Sequence, residues 1–358
     1  MTVDFLAPVR ALTLPHCSRK IFLQLQKRGG SMIRIINEHR DPRINLAVEE
    51  YALNYLDPNE EYVILWQNEP TVVVGRNQNT VAEVNGPFIK ERGIHVVRRL
   101  SGGGAVYHDL GNLNFTFIVD AQKERVSNFE YFTRPVIEAL ASLGVKAEFS
   151  GRNDITIDGK KFSGNAQYWS KNRLLHHGTI LFNSDLDVVG QALNVQADKL
   201  QSKGVKSVRS RVTNIYPYMP NPISIEEFKA VLLEFLIPGK RQDYTLSDAE
   251  WAVVQQLKEK RYARWEWNYG ASPECEMEKQ RRFPGGKLEL RFNVVDGLIR
   301  DLTIFGDFFG RRDAAELAEQ LNGTQFRESA VAEVLARVDF EEYFALISRE
   351  EFLQCLFE

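Results

Sequence analysis

Cysteine is nearly absent: only Cys17, Cys275 and Cys355 carry a thiol among 358 residues, and no two stand in CxxC spacing. That excludes a disulfide framework and a zinc cluster, and it fits a reducing cytoplasm. Long apolar runs are missing too, none approaching the roughly 20 residues that span a bilayer. Charge of one sign is not in excess, with 45 Lys and Arg against 48 Asp and Glu. A general nucleic-acid binder, which needs a basic domain or stripe, is therefore set aside. Small molecules or individual proteins remain as partners, and the basic residues must act locally.

What is present is a glycine loop, Arg98-Arg99-Leu100-Ser101-Gly102-Gly103-Gly104-Ala105-Val106-Tyr107-His108-Asp109. Three consecutive glycines remove every Cβ and leave backbone N–H groups free to face a phosphate or carboxylate. Ile94 to Val97 reads as a strand before it. Leu113, Phe115, Phe117 and Val119, alternating with Asn114, Thr116 and Ile118, read as a largely buried strand after it.

The length exceeds what one core usually supports, so two domains are expected. Residues 1–31 stand apart, with Arg10, Arg19, Lys20, Lys27 and Arg28 against the single acid Asp4. They read as a transit peptide, which would make the protein mitochondrial, or as a leader translated from a misplaced start ahead of Met32, the reading preferred here. A helix is expected over Asn45 to Leu56, strands over Tyr62 to Trp66 and Thr71 to Val74 as neighbours, and a helix over Phe129 to Leu143. Asp158-Gly159 is a hairpin signal that brings Lys161 back beside Asn153 and Asp154. Ser224 and Glu227 form a capping box. Pro238 to Asp243 carries both helix breakers and is placed as the linker, giving domains over 32–240 and 246–358.

Several stretches in order resemble the lipoate-protein ligase family. They are Val74-Gly75-Arg76-Asn77-Gln78-Asn79, the glycine loop, Gly151-Arg152-Asn153-Asp154 with Lys161-Phe162-Ser163-Gly164-Asn165-Ala166, His176-His177-Gly178-Thr179, and Lys203 to Asn214. The resemblance runs from about Met32 to the C-terminus. It implies an α+β fold, a mixed, mostly antiparallel sheet with flanking helices as in biotin ligases and class II aminoacyl-tRNA synthetases, plus a small accessory C-terminal domain. It also implies that lipoate and ATP, with Mg²⁺, give lipoyl-AMP, from which the lipoyl group passes to a lysine of an acceptor. The implied acceptors are lipoyl domains of 2-oxoacid dehydrogenase acyltransferase subunits and the glycine-cleavage H protein.

By the same resemblance Lys161 contacts the acyl carbonyl and phosphate; an ammonium suits charge that moves between oxygens. Arg99 and the amides of Gly102, Gly103 and Gly104 would hold the anionic centre, with Ser101 as a hydrogen-bonding and Ala105 as a further lipoate- or adenylate-binding residue and Arg76 as a ligand-site or rim arginine. Asn153 and Asp154 read either as magnesium ligands or as a strand-opening Asx pair. Lys203 and Arg209, with Lys206 and Arg211, read as the adenylate-binding loop or as a solvated face. His177, like His108, is either a pocket contact or a packed histidine; a strand sends His176 and His177 to opposite faces, so a metal pair is not expected. A cysteine-relay acyltransferase of the same fold needs a pocket thiol, and there is none between Met32 and the linker. A biotin ligase and a non-catalytic lipoate-binding protein fit the motifs less well.

Overall fold

The computed structural model describes residues 32–151, 153–193, 211–239, 241–272, 275–306, 308, 310 and 312–358; the N-terminal extension, Lys203 and Arg209 lie outside them. The strands of the first part are β1 (Ile33–Ile35), β2 (Tyr62–Trp66), β3 (Thr71–Val74), β4 (His95–Arg98), β5 (Val106–His108), β6 (Asn112–Asp120), β7 (Glu148–Ser150), β8 (Asp154–Ile157), β9 (Lys160–Ser170), β10 (Arg173–Leu181) and β11 (Gln242–Tyr244). Three more, β12 (Cys275–Phe283), β13 (Gly286–Val295) and β14 (Leu298–Gly306), follow.

Eight strands make one sheet in the order β11-β1-β2-β6-β10-β9-β8-β7. Its β11/β1 and β1/β2 pairs are parallel, and every pair from β2 to β7 is antiparallel. The mixed, mostly antiparallel architecture expected from the sequence is therefore present. β4-β3-β5 form a second sheet, and β12-β13-β14 a third with the C-terminal helices against it.

The central strands are apolar on both sides because helices cover both. Phe129–Ser142 and Ile225–Leu236 pack on Phe115, Phe117, Phe162 and Leu174. Pro42–Asn54 packs on the other face with Ile35, Ile64, Trp66, Ile118 and Leu175. That helix starts three residues before the expected Asn45, since Asp41 accepts from the Arg43 N–H as its cap and Pro42 suits the first turn. The Ser224–Glu227 capping box forms as expected.

One expectation is corrected. β2 and β3 are not neighbours but belong to different sheets. Their connection has no glycine to close a tight hairpin, and its Asn68 is buried and bonded to Asn45, so the chain crosses between layers there. Gln242–Tyr244, which overlaps the end of the linker expected over Pro238 to Asp243, pairs with β1. The helix Asp248–Leu257 then packs on Pro42–Asn54, and Leu246, Val254 and Tyr262 join the core of Ile35 and Leu46. Among the described residues no helix is long and apolar enough to cross a membrane.

Candidate active site

The β8–β9 hairpin turns through Asp158 (φ 50°) and Gly159 (φ 73°), both left-handed, as a tight two-residue turn demands. It sets Thr156 opposite Lys161 and Asp154 opposite Gly164. Lys161 Nζ lies 2.8 Å from Asp154 Oδ1, both side chains being over a third exposed. The lysine lies across Gly164, where a Cβ would come within 2.8 Å of Nζ. Its backbone N–H donates to the Arg211 carbonyl at 2.8 Å and its carbonyl accepts from the Thr213 N–H at 2.9 Å, so the described end of the basic loop arrives at Lys161. Beside it, Asn153 Nδ2 donates to the Asn165 carbonyl at 2.7 Å and Asn165 Nδ2 returns a bond to the Asn153 carbonyl at 3.1 Å, clamping the two strands.

The glycine loop joins β4 to β5. Gly103 has φ +90°, and its carbonyl comes so close to Gly75 that a Cβ on Gly75 would sit 2.1 Å from it. The Arg76 N–H donates to the Ser101 carbonyl at 2.9 Å, joining the two loops, while the Arg76 guanidinium lies out over the Tyr168 ring. Arg99 is bound into the loop itself. Its guanidinium donates to Ser101 Oγ and to the carbonyls of Val73, Gly102 and Gly104, at 2.7–3.1 Å. It therefore staples the loop from inside and orients it, with most of its donors already engaged. Burial pushes Arg99 down to about 10, a shift that Glu49 opposes, and the side chain stays cationic at neutral pH.

One polar chain runs beneath the loop. Trp66 Nε1 donates to Thr116 Oγ1 at 2.9 Å, and Thr116 to Glu49 Oε1 at 2.5 Å. His177 Nδ1 lies 3.0 Å from the same carboxylate, and Ser101 Oγ 2.6 Å from His177 Nε2. Because a carboxylate only accepts, the network assigns the His177 proton to Nδ1 and leaves Nε2 to accept from Ser101. His176 points to the other face, stacked 4.4 Å from Phe132, and burial holds it well below the ordinary histidine value.

These elements enclose a cavity of about 110 Å³. Arg99, Gly103, Gly104, Ala105, Asn153, Lys161 and His177 line it, whereas Arg76, Ser101, Gly102 and Asp154 stand just behind or beside it. Its remaining walls include Leu46, Trp66, Val73, Val106, His108, Asn114 and Ala166. The result is an apolar slot with an ammonium at one end. Among the described residues there is no group of three or more His, Cys, Asp or Glu that could hold a metal ion. Chemically, the slot suits the tail of an acid whose carboxyl is activated beside Lys161.

Comparison with known proteins decides between the acids. The family described as Lipoyl protein ligase A/B catalytic domain matches residues 41–237, and that described as Bacterial lipoate protein ligase C-terminus matches residues 272–356. The chain is 46% identical over 331 residues to lipoate-protein ligase LplJ of Bacillus subtilis, covering 91% of this chain and all of that one. This chain belongs to the lipoate-protein ligase family. Among solved structures, the bi-partite lipoate protein ligase of Thermoplasma acidophilum, described with its E2 lipoyl domain, matches with a TM-score of 0.61 at 28% identity over 67% of this chain and 97% of that chain. A lipoate-protein ligase A bound with ATP matches with a TM-score of 0.60 at 26% identity, over 68% of this chain and all of that chain.

The motif stretches of the sequence include the walls Val106, His108 and Ala166 but not Leu46, Trp66, Val73 or Asn114. Trp66 ends an apolar strand and reads as core. Glu49 sits inside the apolar stripe of a helix, and its burial beside His177 was the missed signal. Arg98 was also passed over in favour of Arg99. It is fully buried, pushed down to about 10 by that burial, and contacts seven acceptors on Gly75, Arg76, Gln78, Thr80, Trp267, Asn268 and Ser272, none of them a carboxylate.

Proposed function

We propose that the slot takes the acyl tail of free lipoate and that Lys161 works at its carboxyl end through both half-reactions. In the first, a carboxylate oxygen attacks the α-phosphorus of ATP and pyrophosphate leaves, giving lipoyl-AMP. In the second, the amine of an acceptor lysine attacks the acyl carbon, an amide forms and AMP departs. Negative charge moves from carboxylate to phosphate to acyl oxygen, and one positioned ammonium serves all three. The observation that carries the reading is the Lys161 ammonium, held by Asp154 and seated over Gly164 at the open end of an apolar slot.

Asp154 offers one partly exposed carboxylate on this rim, which is what a magnesium ion sharing phosphate oxygens asks of a protein, and the Asn153 side-chain amide oxygen is the second candidate donor. When bound, the ion would neutralise phosphate charge. The acceptor is a lipoyl domain. We extend it to the acyltransferase subunits of 2-oxoacid dehydrogenases and to the glycine-cleavage H protein, in a cytoplasmic setting that the free thiol of Cys355 fits. A cysteine relay is disfavoured: Cys355 is buried in the C-terminal core, where burial pushes its thiol up, away from the thiolate a relay needs.

The test is to incubate the protein with lipoate, MgATP and an apo lipoyl domain and to weigh the acceptor. A lipoyl mass increment that requires ATP and falls in rate on the order of a hundredfold or more in Lys161→Ala is expected. An increment that appears without ATP, from a lipoylated donor protein only, would replace this reading with a transferase.

A further inference from the structure

The wall of the slot remote from Lys161 contains a hydrogen-bond donor that meets no acceptor among the described residues. His108 is buried, lines the cavity and meets Trp66 edge to face, 6.0 Å between ring centroids. Its Nδ1 lies 3.0 Å from Asn68 Nδ2, while Nε2 has no hydrogen-bond partner among the described residues. A chain of amides anchored on the backbone fixes the tautomer. Asn45 Nδ2 donates to the Gln67 carbonyl at 2.9 Å, a group that can only accept, so the same NH₂ donates to Asn68 Oδ1 at 2.8 Å. Asn68 must then turn its own NH₂ toward His108, whose Nδ1 accepts, and the ring proton sits on Nε2. Burial, with the charges of Arg99 and His177 adding to it, pushes His108 down to about 3. The ring is neutral at working pH.

Its place in the sheet says what meets it. Trp66 lies on β2 and Lys161 on β9, with β6 and β10 between them; three strand spacings put the two ends roughly 14 Å apart. An acid whose carboxyl is at Lys161 sends its tail toward Trp66 and His108. The cavity, about 110 Å³, is smaller than the roughly 300 Å³ of an ordinary ligand site. Entry of a ring therefore parts the walls and gives the sealed N–H a neighbour.

We propose that His108 Nε2–H donates to a ring sulfur of the lipoyl dithiolane, making His108 the residue that tells this ring from a hydrocarbon of the same shape. The proposal rests on the lipoate reading of the slot. A hydrocarbon ring would leave the buried donor as unmet as it is in the free protein and so forgo the bond that a sulfur supplies. A divalent sulfur is a weak acceptor, so the discrimination is about three- to tenfold and not hundredfold.

The experiment measures calorimetric affinities of the full-length protein, without ATP, for lipoate and for 5-cyclopentylpentanoate, which replaces both sulfurs by carbon. Wild type is expected to prefer lipoate about three- to tenfold. His108→Phe should abolish that preference, and His108→Gln, whose amide N–H reaches toward the Nε2 position, should restore it. A wild type with no preference, or a preference that survives His108→Phe in a protein with a cooperative unfolding transition, overturns the proposal. If His108→Phe does not fold, a His108→Gln protein that loses the preference overturns it as well. Failure of the lipoate reading is distinguishable, because wild type would then bind neither acid and give no lipoyl increment in the mass assay.

Discussion

Gly164 is small because Lys161 lies over it. In Gly164→Ala the new Cβ would sit 2.8 Å from Nζ and 3.0 Å from Cε, both at the movable end of a side chain. The backbone has no reason to shift, so the ammonium must. The expected outcome is a fall of tenfold or more in the rate of lipoyl-AMP formation, with the unfolding midpoint within about 2 °C of wild type; full activity would mean that the lysine need not rest there. His176 gives a second residue-scale prediction, in pH. Its folded value lies well below the ordinary 6.5, so the unfolded chain takes the proton first as pH falls. The stability it contributes is complete above pH 6.5 and is lost below it, down to the folded value. Between pH 7.5 and 5.5 this is about 1.4 kcal/mol for one such histidine. His176→Asn, less stable at neutral pH, should show an acid loss smaller by about that amount in urea titrations; an unchanged loss would place the proton uptake elsewhere. Lys161 was legible in the sequence because a hairpin signal fixed its partner strand. Glu49 was not, since its meaning lies in what tertiary packing does to a buried polar group.

Strands announced themselves by alternation, and the helices by caps: Ser224 with Glu227 marked one start correctly. What alternation cannot give is the sheet to which a strand belongs, and β2 and β3 were paired in the sequence reading for want of it. Arg98 is the element-scale counterpart. It binds the Gly75–Thr80 loop to the Trp267–Ser272 segment, and the Trp267 indole N–H returns a bond to the Arg98 carbonyl at 2.8 Å. A lysine there has three donors and no planar fork, so several buried carbonyls would go unmet. Arg98→Lys is expected to cost about 3–5 kcal/mol in urea unfolding. Hydrogen exchange should rise in both bonded segments together while β13 keeps its protection. Loosening of one segment alone would show that Arg98 does not join them.

At the scale of the whole chain, the sequence put the domain boundary at Pro238–Asp243 because proline and glycine punctuate there. A three-residue strand paired in parallel with β1 has no periodicity to give it away. We expect the folding boundary to lie after Ser272. One apolar cluster gathers Ile33 through Tyr262, and another gathers Leu288 through Leu356. Between these two parts lies a cavity of about 790 Å³, bordered by Val84, Ile89, Trp265, Tyr269, Met277 and Phe326, which is not how a shared core packs. A fragment of residues 32–272 keeps β11, the helix Asp248–Leu257 and every contact of Arg98. It should be monomeric and unfold in one cooperative step. A fragment of residues 32–241 loses β11, that helix and the Arg98 contacts to Trp267, Asn268 and Ser272, and bares the face of Pro42–Asn54 on which the helix packs. It should aggregate or expose apolar surface to a dye. Size-exclusion chromatography and thermal unfolding separate the two cases. If the shorter fragment proves as well folded as the longer, the segment 242–262 belongs with the C-terminal part, as its sequence implied, and its packing on the first core is a domain contact.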